Sequence, residues 1–144
     1  MAYQIKRLSK INETLELVGD DNTVAHTLVV SFTVDDLARD INKAKNDVIR
    51  AQQAIKNVTD EKFADAQETM GDAIISLFSL IFGEEQTKTL IEFYKNAYTE
   101  MFAAVFPFLD SCIFPAIAAA TRERCEMLAN NFKLSKSTKK KLML

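Results

Sequence analysis

The side chains that could do chemistry are few and far apart. One histidine, His26, and two cysteines, Cys112 and Cys125, make up the whole imidazole and thiol inventory of the 144 residues. A general base needs a nucleophile or a carboxylate held against it, whereas the neighbours of His26 on its own strand face are Val24 and Leu28. The cysteines stand thirteen residues apart, with neither the Cys-x-x-Cys spacing nor the adjacent histidine that activates a thiol. They read as small apolar residues of a reducing compartment, and such a set assembles no metal cluster. Asp35–Asp36 and Glu84–Glu85 resemble acid–base pairs, but all four fall at expected helix starts, where the helix dipole already favours negative charge. Gly19, Gly71 and Gly83 are too dispersed to form a phosphate-binding loop. The chain is therefore expected to be non-catalytic, with no cofactor and no metal.

What remains to position is surface, and the stretch that organises it is 33–58. Val34, Leu37, Ile41, Ala44, Val48, Ala51, Ile55 and Val58 recur at three- and four-residue steps and lay one apolar seam along a helix. Thr33 and Asp36 have the spacing of a reciprocal cap at its start. At 1.5 Å per residue this helix is about 40 Å long, long enough to act as a spine. Before it, Ile11–Val18 and Val24–Thr33 alternate polar and apolar around the turn cluster GDDNT, which predicts a β-hairpin whose outer strand is an open edge.

After the spine a second helix is expected from Thr59 to Gly83, buried along Phe63, Ala66, Met70, Ala73, Ile74, Leu77 and Ile81 and ended by Gly83. A third is expected over 84–106, interrupted or kinked by Pro107. A last helix, capped by Asp110 or Ser111, runs through AIAAATRERCEMLANNF. The fold class expected is α+β, mainly α: an N-terminal β-hairpin packed on a bundle of about four helices. One domain spans 1–132, with the hairpin over 10–33 and the helical part over 34–132, and 133–144 is a basic, flexible tail.

Charge and hydropathy bound the partners. The first 132 residues hold 13 basic and 20 acidic groups, net −7, while five lysines and no acid fall in the last twelve. An acidic body with a short basic tail is not a nucleic-acid footprint, which clusters cations on a folded face. The N-terminal stretch MAYQIKRLSKINETLELVG has no apolar run of the signal-peptide kind. The nineteen residues from Phe102 to Ala120 carry a single charge, so their length alone permits a membrane span. Two prolines and the central Asp110, whose burial in lipid costs about 2.5–3.5 kcal/mol on the lenient scale, count against it. Phe78, Phe82, Phe102, Phe106, Phe108 and Phe114 gather instead around two helix junctions, as one apolar end. Phe78, Phe82, Phe106 and Phe108 are the candidate anchors for a partner segment, and the hairpin edge is a candidate surface for homo-oligomer formation.

The order of elements, a short hairpin ending in FTVDDLARDINKAKNDVIRAQQAI, a helical pair, then FYKNAYTEMFAAVFPFLDSCIFPAI, resembles the tail assembly chaperones of long-tailed phages and prophages of Gram-positive bacteria over about residues 10 to 132. That resemblance implies a protein of the bacterial host cytoplasm, absent from the mature virion. Its partner would be the long, helical tape-measure protein, which it keeps soluble while tail-tube protein assembles around it. Members of that family are often made in two lengths by frameshifting, and the Lys139-Lys140-Lys141 run is compatible with a slippery adenine-rich stretch. Two other classes compete: a structural tail or head-completion component of the particle, and a small membrane-acting, holin-like protein.

Overall fold

Alternation decides the first two elements. In the computed structural model, which describes residues 2–131, β1 (Ile11–Val18) and β2 (Val24–Phe32) form a two-stranded antiparallel sheet, in register from Ile11 opposite Phe32 to Leu17 opposite His26. Ile11, Leu17, Leu28 and Val30 are buried on one face, while Asn12, Thr14, Glu16, Thr27 and Val29 are exposed on the other. A bulge near the turn sets Val18 opposite Val24 and leaves Ala25 with no residue across from it. Asp21 pins that turn by accepting from the Thr23 N–H and hydroxyl at 3.1 and 2.7 Å. The Thr23 hydroxyl bond, followed by its N–H, holds the Asp21 carboxyl below the usual carboxylate range.

The spine is α1 (Val34–Lys56), with Val34, Ile41, Ala44, Val48 and Ala51 buried along the expected seam and Leu37 and Ile55 half-buried. Thr33 takes the extended backbone of an N-cap, yet its side chain makes no capping bond, so the expected reciprocal cap with Asp36 is not formed. Asp35 and Asp36 remain in the first turn, where the dipole favours them.

A 3₁₀ turn over Asp60–Lys62 leads into α2 (Phe63–Phe82). Its buried side is Gly71, Ile74, Leu77, Phe78, Ile81 and Phe82, so the apolar line lies nearer the C-terminal half than expected and Phe63 is exposed. Phe63 has only polar and small neighbours in sequence, and the helix leaves the core before reaching it. Gly83, at φ 82°, ends α2 and caps α3 (Glu84–Phe93), giving a one-residue corner. Only glycine takes that backbone without strain.

The third expected helix is broken, but at Tyr94–Ala97 and not at Pro107. Lys95 and Asn96 both have positive φ (51° and 66°), and the Lys95 and Asn96 N–H groups donate to Glu92 and Ile91 carbonyls at 3.1 and 3.0 Å. This is a Schellman ending, with lysine where glycine is usual.

Beyond it α4 (Tyr98–Phe108), a π turn (Leu109–Ile113) and α5 (Phe114–Asn131) run on as one rod, so four helices stand beside the hairpin among the described residues. Pro107 lies inside α4, and Asp110 and Ser111 sit within the π turn, capping nothing. A proline removes one helical donor and crowds the carbonyl four residues back. A π turn relieves such crowding by loosening the ladder, and here it lies between Pro107 and Pro115.

The core lies where α1, the second half of α2 and the rod meet beneath the hairpin: Leu28, Val30, Ile41, Val48, Leu77, Phe78, Leu90, Met101, Val105, Leu109 and Ile113 form one buried cluster. Arg124 of α5 ties its ends together. It donates to Asp35 Oδ1 at 3.0 Å, to the Ser9 carbonyl at 2.9 Å and to the Ala120 carbonyl at 3.2 Å. The expected tail over 133–144 lies outside the described residues.

Candidate functional site

The groups that could have carried chemistry stay apart. His26 is exposed and meets Phe93 edge-on, ring centroids 6.1 Å apart, with no carboxylate or nucleophile among the described residues hydrogen-bonded to it. Cys112 is half-buried and Cys125 exposed, both as free thiols. Among the described residues no group of three or more His, Cys, Asp or Glu side chains is placed to hold a metal.

The phenylalanines divide into two rows and not one apolar end. Phe78 and Phe82 are 0% and 5% exposed, pack edge-on at 5.8 Å, and Phe82 stacks on half-buried Phe108 at 6.3 Å. Phe78 and Phe82 are thus core residues with no surface to offer a partner. The expectation that they anchor one is corrected by their position on the inward side of α2, where α1 and the rod enclose them. The second row is half-buried: Phe102 and Phe106 lie 4.9 Å apart, and Phe106 meets Phe114 at 6.0 Å across the π turn. Phe102, Phe108 and Phe114 pack against the buried cluster, whereas Phe106 rests on its two neighbouring rings.

Phe114 opens this row into a groove. Between α1 and α5 lies a hollow of about 700 Å³, lined on one side by Ala38, Arg39, Ile41, Asn42 and Lys45 and on the other by Phe114, Ile117, Ala118, Thr121 and Arg122. Ile41 closes the floor, Phe114 and Ile117 are half-buried walls, and Arg39 and Arg122 stand exposed on the rim. The Lys45 ammonium sits 4.4 Å from the Phe114 ring centroid, in cation–π range.

The rod is apolar over much of its length. Tyr98–Asn130 is long and apolar enough, by length and composition, to cross a membrane: its most apolar 18-residue window has a mean hydropathy of 1.8, and only 22% of that window is buried by the rest of the chain. Its exposed positions there are alanine, proline, Asp110 and Ser111, while Phe102, Val105, Phe106, Phe108, Leu109, Ile113, Phe114 and Ile117 are buried or half-buried.

The hairpin edge is not open along its whole length. Gln86 of α3 reaches the outer edge of β2, where its Oε1 accepts from the Val29 N–H and its Nε2 donates to the Val29 carbonyl, each at 2.7 Å. The same Nε2 also donates to the Phe82 carbonyl at 2.8 Å. The expected open outer strand is therefore occupied at Val29. Neither Gln86 nor Arg124 could be singled out in the sequence, since each acts on backbone far away along the chain.

No protein-family model, curated protein or solved structure matches the chain.

Proposed function

We propose that the protein is a non-catalytic binding protein that covers an apolar helical segment of a larger partner, and that it acts as a tail assembly chaperone for a tape-measure protein. The observation that carries the binding part is the half-buried row of Phe102, Phe106 and Phe114, in contact with one another along the rod. Half-buried rings held in one row give a partner's apolar side chains a place to pack. The identity of the partner, with tail-tube protein as a second client, rests on the resemblance of 10–132 to such chaperones, which also implies the host cytoplasm as its place of work.

Co-expression with the long helical protein encoded downstream tests the reading. The expected result is capture of that partner, which is insoluble when made alone, and loss of capture in Phe106→Ser with the fold retained. No capture, with the chain recovered from purified particles, would move it to the structural-component reading.

The rod favours one further reading, a membrane-acting protein, because of its length and hydropathy. Asp110, exposed near the middle of the rod, and the adjoining prolines oppose it. Sedimentation of the chain with membranes, and solubility only in detergent, would support it.

A further inference from the structure

We propose that the α1–α5 groove selects its occupant by charge, taking a short amphipathic helical segment whose apolar anchors are flanked by Asp or Glu. The proposal rests on the reading that the partner is helical and adds which segment of it binds here.

The groove differs from the other hollows in its charge. Arg39, Lys45 and Arg122 line it and no carboxylate does, although the first 132 residues carry a net −7. The hollow between α2 and α4 is lined by Glu68 and Glu100, the one beside the start of β1 by Lys10 with Glu13 and Glu123, and the one beside the turn by Lys95 with Asp20 and Glu100, so each of the three has an acidic balance. Asp36 and Asp40 flank Arg39 on α1, but neither lines the groove, and two further carboxylates close to it are engaged elsewhere. Asp35, one turn before Ala38, accepts from Arg124 at 3.0 Å, and Glu123, next to Arg122, lies 3.9 Å from the same guanidinium. Among the described residues none of Arg39, Lys45 and Arg122 is in an ion pair within 4 Å.

Size fixes the rest of the occupant. The lining spans 38–45 on α1 and 114–122 on α5, about 10 to 12 Å at 1.5 Å per residue, or two helical turns. Two apolar anchors one turn apart fill such a length, resting on Ile41, Phe114 and Ile117, in the helix-in-groove mode. Carboxylates beside those anchors would meet Arg39 and Arg122 on the rim and Lys45 above Phe114. Such pairs direct encounter and register more than they add raw affinity.

The test uses the full chain and two labelled helical peptides with identical leucine anchors, one flanked by glutamates and the other by lysines, followed by fluorescence anisotropy. The glutamate peptide is expected to bind about tenfold tighter, a difference of about 1.4 kcal/mol, and to lose that preference as salt shortens the screening length. The triple variant Arg39→Glu, Lys45→Glu, Arg122→Glu is expected to invert the preference while keeping the parent's circular dichroism spectrum and a cooperative melt, lowered by loss of the Lys45–Phe114 contact. Equal binding of both peptides, binding of neither, or an unaltered preference in a folded triple variant would overturn the proposal. Capture of the downstream partner that ignores the charge reversal would remove the groove and keep the chaperone reading. Peptide discrimination without partner capture would do the reverse.

Discussion

Gln86 stands against Val29 as a third strand would, its side-chain amide exchanging two 2.7 Å hydrogen bonds with the N–H and carbonyl on the outer edge of β2. One residue from the start of α3 thus does two things: it fastens the helical part to the hairpin and it blunts an edge that would otherwise pair with a foreign strand. Gln86→Ala is expected to cost about 1–3 kcal/mol, the net worth of three neutral hydrogen bonds. Gln86→Glu should cost at least as much, because it sets an oxygen where Nε2 now faces the Val29 and Phe82 carbonyls. Urea denaturation measures the loss, and light scattering should show both variants associating at concentrations where the parent does not.

Arg124 offers a second clamp. With its side chain only 12% exposed, it holds Asp35, Ala120 and the Ser9 carbonyl at once. A lysine keeps the charge but lacks the planar fork that reaches three acceptors. Arg124→Lys is expected to lose about 1–2 kcal/mol and to raise amide exchange and proteolysis selectively before Ile11. An unaltered N-terminal exchange pattern would show that the Ser9 contact does not hold that segment.

Two glycines should respond in opposite directions to alanine. Gly83 has φ 82° and ψ 164°, and a side chain forced into that region costs about 1–3 kcal/mol even though nothing lies within 4 Å of the added carbon. Gly71, inside α2, has ordinary helical surroundings, and its added carbon would rest 3.8 Å from the Tyr98 ring. Gly71→Ala is expected to stabilise by about 0.5–1 kcal/mol. Thermal melts of the two variants, one below and one above the parent, check both.

Tyr94 predicts a pH dependence. Burial, and secondarily the Glu100 carboxylate, raise its phenol above the ordinary value. The unfolded chain therefore loses this proton first as pH rises, and stability present below about pH 10 falls as pH climbs through and beyond that value. Tyr94→Phe removes that part of the fall, so the melting temperatures of variant and parent should separate above pH 10 and run parallel below it.

What the sequence made legible follows from which forces act locally. The hairpin, its turn and the long seam of α1 are written in alternation and in three- and four-residue steps, and they fold as read. Helix endings that depend on backbone conformation were harder to see. Lys95 ends α3 at a position where a glycine would have announced the stop, and Thr33 caps α1 by its backbone without using its hydroxyl. The prolines were visible, but whether Pro107 ends a helix or is absorbed depends on the π turn after it, which has no composition of its own. Among the anchors, a half-buried Phe106 and a buried Phe82 look alike in sequence. The fold alone sorts them, by the turn of helix on which each lies. The groove was hidden for a related reason, since Arg39, Lys45 and Arg122 come together only when α1 and α5 lie side by side.

The π turn has one more consequence. On a regular helix, residues eight apart, such as Phe106 and Phe114, point about 80° away from each other and sit some 12 Å apart along the axis. By winding wider and advancing less over Leu109–Ile113, the rod works as a vernier between its two halves and brings these rings to 6.0 Å. A single residue added to or removed from that segment would rotate everything after Ile113 relative to everything before Leu109. It would part the aromatic row from the groove while leaving the composition of both untouched.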